Sequence, residues 1–238
     1  SNMDKLTFPE QQAFRVGFLL IDGFALMSYS AAVEVLRAAN LLAGRTLYNI
    51  RHIPGTGARA VSSSGAIIEA TGHLGEDFDF DLVLVVAGGD PARFRDTSVF
   101  HWLRQLSQRN IRLGGVSGGP VILASAGLMV GRRMTVHWEH IAALAEVSPA
   151  MIIERSLYVI DRDRITCAGG TAPLDMMHAI LTEHHGPAFA RQVSDWFMHT
   201  EVRPSGGPQR AGLVERYGIT HPAVILAIEM MENHMADL

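Results

Sequence analysis

A serine flanked by glycines is the residue in this sequence whose surroundings most resemble a reaction centre. Residues 115–119 read Gly-Val-Ser-Gly-Gly, which matches the G-x-S-x-G pattern of a nucleophile elbow. Such a turn exposes its central side chain and points helix N-terminal amides at the same place, so it either activates a nucleophile or binds an anion. A glycine-rich turn without chemistry is the plain alternative. We predict a sharp elbow at Ser117 without a working nucleophile, because short motifs often occur by chance.

A serine hydroxyl acts as a nucleophile only when a histidine lies beside it and a carboxylate orients that histidine. His137 is the natural candidate for this base, because it follows the next predicted strand. The alternative function is therefore a serine-dependent hydrolase or amidase that uses Ser117 and His137. Nothing in the sequence places an acid behind His137. We expect a binding site at the elbow, with no catalytic residue.

Other residues are expected on the same rim as the elbow. Gly88 and Gly89 follow a strongly apolar segment and either present backbone amides to the elbow or form a plain tight turn. Gly118 would add an amide at the start of the next helix. Trp138 follows His137 and either packs in the core or offers its ring to a cation. No basic residue is next to these positions in sequence, which favours a small cationic amine or amino acid over a dianionic ligand.

Neither a metal site nor a dinucleotide site is expected. His137 and His140 have a spacing that can hold a metal, but no third ligand is evident. Residues 55–60 imitate a dinucleotide fingerprint, but the Val-Ser-Ser-Ser-Gly that follows does not start a helix. The single cysteine, Cys167, excludes an internal disulfide and suits a reducing cytoplasm. No cofactor is predicted.

The elements that must position these residues alternate between strand and helix. Short apolar runs at 14–21, 81–87 and 111–116 predict buried strands, and 47–53, 66–69 and 134–137 are further strand candidates. Helices are predicted after residue 28 and over 99–109, 138–146, 171–185 and 187–201, with a short helix ending near 127. A hairpin is expected at 157–168. Uniformly apolar strands indicate a mostly parallel sheet covered on both faces, so the fold class is a doubly wound α/β sandwich.

The composition changes after the last of these helices. Residues 203–219 contain Pro-Ser-Gly-Gly-Pro at 204–208 and are predicted to form a linker. Thr220 and His221 precede a proline and an amphipathic helix, which has no core of its own to join. We therefore expect a ligand-binding domain over 14–202, the linker, and over 220–238 the first helix of a second domain.

Composition and charge limit the partners of the 238-residue chain. The net charge of −4 gives it no overall electrostatic reason to bind nucleic acid or an anionic membrane. No apolar run reaches membrane-spanning length, and the N-terminus does not resemble a signal peptide, so a cytoplasmic location is expected. The apolar helix face that includes Tyr29, Val33 and Leu36 suggests a symmetric homodimer, although it could be ordinary core.

Several of these segments together resemble a known family. Residues 16–24, 32–40, 135–140 and 161–172 resemble the PfpI-like, glutamine-amidotransferase-like sensor domains of AraC-family regulators. The tail at 208–210 and 221–232 looks like the linker and first helix of the AraC-type DNA-binding domain. The resemblance covers nearly the whole chain from Phe14.

The resemblance implies a flavodoxin-like fold, usually dimeric, in a bacterial regulator that binds a small-molecule effector and, through a C-terminal helix-turn-helix domain, DNA. It looks closest to the branch that responds to amino acids and quaternary amines. In the enzymatic relatives the elbow carries a cysteine and an acid assists it; here these positions hold Ser117 and Ser28. Glu34 matches a glutamate in the first helix of the family and could add a counter-charge. A third possibility is a structural or dimerising role without a ligand.

Overall fold

The computed structural model describes residues 12–148 and 150–236 of the chain. Its strands are β1 (Phe14–Leu20), β2 (Tyr48–Pro54), β3 (Arg59–Val61), β4 (Ile67–Glu69), β5 (Leu82–Ala87), β6 (Arg112–Ser117), β7 (Arg133–Met134), β8 (Ile152–Ile153), β9 (Tyr158–Asp161) and β10 (Arg164–Cys167). Its helices are α1 (Leu26–Ala43), α2 (Thr97–Gln108), α3 (Gly119–Ser125), α4 (Ile141–Val147), α5 (Ala172–His185), α6 (Pro187–Trp196), α7 (Leu213–Tyr217) and α8 (Pro222–Ala236).

Six strands form the central sheet in the order β2-β1-β5-β6-β10-β9. All neighbours are parallel except β9, which pairs antiparallel to β10 as the predicted hairpin. Apart from β9, the sheet has the strand order of flavodoxin-like folds, with the reversal of order between β1 and β5. The predicted mostly parallel, doubly wound sandwich is confirmed. Ligands in such sheets bind beyond the carboxyl ends of the strands, which is where the elbow lies.

The core is two apolar layers, one on each face of the sheet. Helices α1, α5 and α6 cover one face, and α2, α3 and α4 cover the other. Every residue of β5 is buried, whichever face of the sheet its side chain points to, and this explains the uninterrupted apolar run of the strand. In β1, Phe18 and Leu20 face the first layer while Leu19 faces the second. This two-sided burial fixes the register of the strands that carry the site.

The helix face that suggested a dimer interface belongs to the core of the chain. Tyr29 and Leu36 are 6 % and 1 % exposed, and Val33 packs against the same apolar layer. The period of the apolar residues is real, but it reflects packing of α1 on the sheet. That face is therefore unavailable for pairing with a second copy.

Two predicted elements end earlier in the structure. The strand predicted over 134–137 stops at Met134, and β7 pairs with β8 outside the central sheet. The last predicted helix of the domain, α6, ends at Trp196 instead of continuing to residue 201. In each segment the apolar pattern continues beyond the last residue of the strand or helix. For this reason the apolar periodicity predicts elements that are too long.

The segment predicted as a linker is docked on the sandwich. Arg203 donates from its backbone and guanidinium to the fully buried Asp175 of α5, at 2.6 to 3.0 Å. Leu157 and Tyr158 donate backbone hydrogen bonds to the carbonyl of Ser205. The segment also contains α7, whose Leu213 is 4 % exposed. Residues 203–213, although rich in glycine and proline, thus pack on the sandwich. We call these residues the strap.

The final helix, α8, starts where the sequence predicted it and leaves much of its apolar surface uncovered. Val224, Leu226, Met230 and Met231 are between 44 % and 64 % exposed. Within the described residues, no helix combines the length and apolar character that a membrane span requires.

Candidate functional site

The elbow at Ser117 is built by close packing of β6 against α3. Ser117 has a φ of 61°, an uncommon conformation for a residue with a side chain. A β-carbon on Gly115 would lie 2.5 Å from the nitrogen of Pro120, and one on Gly119 would lie 2.0 Å from the carbonyl oxygen of Val85. Only glycine fits at these two positions. The sharp elbow predicted from the sequence is confirmed.

Ser28 lies against the elbow through a third glycine-rich turn. The hydroxyl of Ser28 accepts a hydrogen bond from the amide of Gly170 at 2.8 Å. A β-carbon on Gly169 would lie 2.8 Å from Cβ of Ser117 and 3.0 Å from the hydroxyl of Ser28. The two serines are 5 % and 1 % exposed. Residues 169–170 therefore pack against both serines and complete the elbow. The sequence did not single them out as part of a site.

The backbone of His137 reaches the elbow, but its imidazole is not arranged as a catalytic base. Its amide donates to the carbonyl of Ser117 at 3.5 Å, a long hydrogen bond. Its Nδ1 accepts from the amide of Glu139 at 3.1 Å. Burial lowers the pKa of His137, with a smaller opposing effect of Glu139, so the ring is neutral at pH 7. A neutral ring that accepts at Nδ1 carries its proton on Nε2.

A catalytic triad requires the opposite arrangement. There Nδ1 donates to an acid and Nε2 accepts the proton of the nucleophile. Among the described residues, no hydrogen bond joins the hydroxyl of Ser117 to the imidazole of His137, and no carboxylate accepts from that ring. The alternative of an activated Ser117 therefore lacks both contacts on which it depends. Cys167 is also unsuited, since burial raises the pKa of its thiol to about 12.

The glycines of the rim differ in what their amides do. The amide of Gly118 donates to the carbonyl of Ala87 at 3.0 Å, so it is already engaged within the fold. Gly88 packs against the loop after β1, where a β-carbon would lie 2.7 Å from the carbonyl of Gly23. Gly89 has a φ of 63°. In the described part of the chain, no hydrogen bond engages the amides of Gly88 and Gly89, which stay available as donors.

Trp138 is on the rim but already has a cation on its ring. The guanidinium of Arg210, in the strap, lies 4.2 Å from the centroid of the indole. The imidazole of His137 stacks on the same side chain at 5.4 Å. The expectation that no basic residue lies near the rim is wrong, because sequence neighbours alone do not show what the strap brings there. Trp138 remains 37 % exposed.

Among the residues that the structure describes, no contact joins Glu34 to the elbow. Its carboxylate pairs with Arg37 at 2.5 Å on the outside of α1, and its side chain is 43 % exposed. A one-turn pair of this kind is a common feature of a solvated helix face.

His137 and His140 have ring centroids 5.6 Å apart, and in the described residues no group of three or more His, Cys, Asp or Glu side chains is arranged to hold a metal.

A cavity of about 200 Å³ lies between the rim, the strap and α8. Trp138 belongs to its wall together with Arg155 of the segment before β9, Gln209 and Arg210 of the strap, Arg216 of α7 and Glu229 of α8. The amide of Gln209 donates to three oxygens at once: Thr135 Oγ1 at 3.2 Å and the carbonyls of Val136 and Ser156 at 3.1 and 2.8 Å. Gln209 thereby joins the strap to the backbone just before His137. No sequence pattern indicated this cavity, because its wall comes from four distant segments.

The family model of the DJ-1/PfpI family matches residues 14–183. The HTH-type transcriptional regulator GlxA of Rhizobium meliloti is 48 % identical over 92 % of this chain and 68 % of its own length. The HTH-type transcriptional regulator CdhR of Pseudomonas aeruginosa is 39 % identical over 91 % of this chain and 64 % of its own length. The chain thus spans about two thirds of the curated relatives it matches.

Solved structures agree with this likeness. An AraC family transcriptional regulator from Pseudomonas putida superposes with a TM-score of 0.70 at 26 % identity, over 77 % of this chain and 99 % of the solved one. DJ-1beta of Drosophila melanogaster superposes with a TM-score of 0.65 over 78 % of this chain and 98 % of its own, at 18 % identity, which shows the shared fold.

Proposed function

This chain belongs to the DJ-1/PfpI family, in the group of the HTH-type transcriptional regulators, and on that premise we propose that it senses a small-molecule effector without converting it. The observation that carries the proposal is the elbow itself. Ser117 has a positive φ and the turn admits only glycine at 115 and 119, while Nδ1 of His137 accepts from the Glu139 amide and so does not donate to an orienting acid. Strained backbone persists at functional sites, and binding is the function left to a site without a base.

We propose that the effector is a small amine or amino acid bound at the rim around the elbow. The free amides of Gly88 and Gly89, the Nε2–H of His137 and the open part of the Trp138 ring would provide its contacts, with Ser28 and Ser117 beneath them. Both serines are buried, so they form the floor of this proposed site. Glu34 would contribute long-range charge alone, since Arg37 already pairs with it.

The domain organisation is part of the same proposal. Residues 14–202 form the sensor, 203–219 connect it, and 220–238 begin an AraC-type DNA-binding domain that binds the regulator's DNA site. The exposed apolar residues of α8 support this assignment, because further helices of such a domain would cover them. Effector binding alters DNA affinity only if the effector favours one arrangement of sensor and DNA-binding domain over another.

The test of regulation compares this chain with one that continues through the proposed DNA-binding domain. Residues 1–238 should not bind duplex DNA in a sequence-dependent manner, because specific binding needs an element in a groove and supporting phosphate contacts. The longer chain should bind, with an affinity that the effector changes. Sequence-dependent binding by residues 1–238 alone would overturn the domain assignment.

The test of the non-enzymatic claim is chemical labelling. A serine-reactive fluorophosphonate should not label Ser117, because no base removes its proton. Stoichiometric labelling that Ser117→Ala abolishes would establish the hydrolase alternative instead.

We also propose that the regulator is a homodimer, because paired DNA half-sites match a two-fold protein. The buried face of α1 is not the interface. Light scattering that shows only monomer at high micromolar concentration would contradict this.

A further inference from the structure

The strap places a cation of the chain itself on the rim proposed to bind the effector. The guanidinium of Arg210 lies 4.2 Å from the centroid of the Trp138 indole, whose side chain stays partly exposed. An ammonium group takes the same position over an aromatic face, where the quadrupole of the ring attracts it. Arg210 therefore occupies the place in which the cationic group of an amine would contact Trp138.

Arg210 differs from the arginines near it in the chain by having no polar partner. Arg203, at the start of the strap, pairs with the buried Asp175, and Arg216 of α7 pairs with Glu232 of α8. In the described part of the chain, no carboxylate pairs with Arg210 and no oxygen accepts a hydrogen bond from its guanidinium. The side chain is only half-buried, so solvent hydrates the guanidinium when it leaves the ring. Another cation can therefore replace it without leaving a charge buried and unpaired.

The neighbouring residue keeps Arg210 close to the ring even when its side chain leaves. Gln209 donates to the carbonyl of Val136 at 3.1 Å, two residues before Trp138. A group tethered in this way acts at a high effective concentration and competes with any ligand for the same place. The imidazole of His137 also stacks on the indole, but a backbone amide holds its Nδ1. Of the two groups on the ring, Arg210 is thus the one that a ligand can exchange.

We infer that Arg210 is an internal competitor of the effector, which must displace the guanidinium from Trp138 in order to bind. The inference rests on the proposed function, because it describes the regulation of the same rim. The contacts proposed at Gly88, Gly89 and His137 are unaffected. The apparent Kd equals the intrinsic Kd divided by the fraction of molecules whose ring is unoccupied. A contact present in about 80–90 % of molecules therefore weakens binding about fivefold to tenfold.

Displacement of Arg210 has a consequence for the strap and for α8. Because the two contacts exclude each other, a bound amine weakens the hold of Arg210 on the rim by the same factor by which Arg210 weakens its binding. The strap leads directly into α7, where Arg216 pairs with Glu232 of α8. Trp138, Arg210, Arg216 and Glu232 all line the cavity of about 200 Å³. The effector thereby releases the end of the strap that adjoins the helix proposed to begin the DNA-binding domain.

The experiment is calorimetric titration with choline and with its neutral carbon analogue, in which a tert-butyl group replaces the trimethylammonium. Arg210→Gln removes the internal cation and should tighten choline binding at least about fivefold. Arg210→Lys keeps a cation on the strap and should stay within about twofold of the unchanged chain. Adding Trp138→Ala to Arg210→Gln should abolish the gain, because the ring is then missing. Arg59→Gln removes the same charge at an exposed position on β3 and should change nothing.

A second measurement needs no substitution in the chain that is observed. The Nε–H of Arg210 is shielded by the ring current of the indole, and its NMR resonance is assigned by its absence from Arg210→Lys. Saturating choline should shift this resonance to the position of a hydrated arginine. A resonance that keeps its shielding while choline is bound would show that the amine does not displace Arg210, and the inference would be wrong.

The outcomes separate this inference from the proposed function. If choline binds equally well to the unchanged chain and to Arg210→Gln, the sensor proposal stands and the competition is wrong. An equal gain for the neutral analogue also overturns the inference, because Arg210 would then act by its bulk and not by its charge. If choline binds to neither chain, the indole does not receive a cation and the inference is wrong, whereas the DNA-binding experiment with the longer chain still decides the sensor proposal.

Discussion

The ion pair that anchors the strap makes a quantitative prediction about stability. Asp175 is completely buried, and its carboxylate accepts hydrogen bonds from the backbone amide of Arg203 at 2.6 Å and from its guanidinium at 2.7 and 3.0 Å. Arg203 is 39 % exposed and also donates to Thr171. The two partners are therefore unequal: the acid depends on the arginine, whereas the arginine can be partly rehydrated.

Replacing each partner separately should reveal this inequality. Arg203→Gln takes the guanidinium from a buried carboxylate, which keeps only the backbone amide of residue 203 and the ring of His199 at 3.2 Å. Removal of one partner of a buried pair costs about 3–5 kcal/mol. Asp175→Asn leaves only a half-exposed guanidinium and one retained acceptor, so we expect a smaller loss of about 2 kcal/mol. The double variant should lose less than the sum of the two, because the second replacement removes the charge that the first left unpaired.

The assay is urea unfolding of the four chains at pH 7, with the free energy of unfolding extrapolated to water. Glu69→Gln is the matched control, since its pair with Arg59 is exposed on both sides and should contribute within about 0.5 kcal/mol. Equal losses for the two single variants, or a double variant whose loss is the sum of theirs, would refute this description of the strap anchor.

Three further predictions concern the elbow, the buried thiol of Cys167 and the partly buried His52. Gly119→Ala should cost several kcal/mol in thermal unfolding because its β-carbon would overlap the carbonyl of Val85, whereas Gly206→Ala, with open space around it, should be close to neutral; similar losses would contradict the packing argument. Cys167 should react with a thiol reagent at pH 8 only after unfolding, and fast reaction of the native chain would show that the thiol is accessible. Burial lowers the pKa of His52 in the folded chain below its unfolded value. The stability that neutral His52 contributes is therefore complete above the unfolded pKa and is lost as pH falls through the folded pKa. His52→Asn should reduce the loss of unfolding free energy between pH 7 and pH 5, and an unchanged loss would contradict this role of His52.

The sequence predicted the elements that local patterns determine. The apolar run of β5 and the glycine-rich turn at Ser117 were placed correctly, because burial on both faces and the need for glycine both leave direct traces in the sequence. Arg210 could not be placed on Trp138, nor Gln209 on the segment before His137, because these contacts join residues more than 70 positions apart across a segment whose composition indicates a linker.

The expected cation site illustrates the same limit. Trp138 stays a predicted ligand contact, but no pattern in the sequence indicated that an arginine of the chain itself would lie over its ring. The apolar face of α1 was correctly predicted as a stripe, yet a stripe does not state whether a sheet or a second copy covers it. Site chemistry that depends on tertiary contacts therefore became visible only in the folded chain.

Ligand-observed NMR of L-arginine and glycine betaine, incubated with this chain, distinguishes a sensor from an enzyme in a single experiment. We predict that at least one of them shows saturation transfer from the protein and that its spectrum is otherwise unchanged after prolonged incubation, because a sensor binds its effector and releases it intact. The appearance of product signals that Ser117→Ala abolishes would contradict the proposed function and establish an enzyme in place of a sensor.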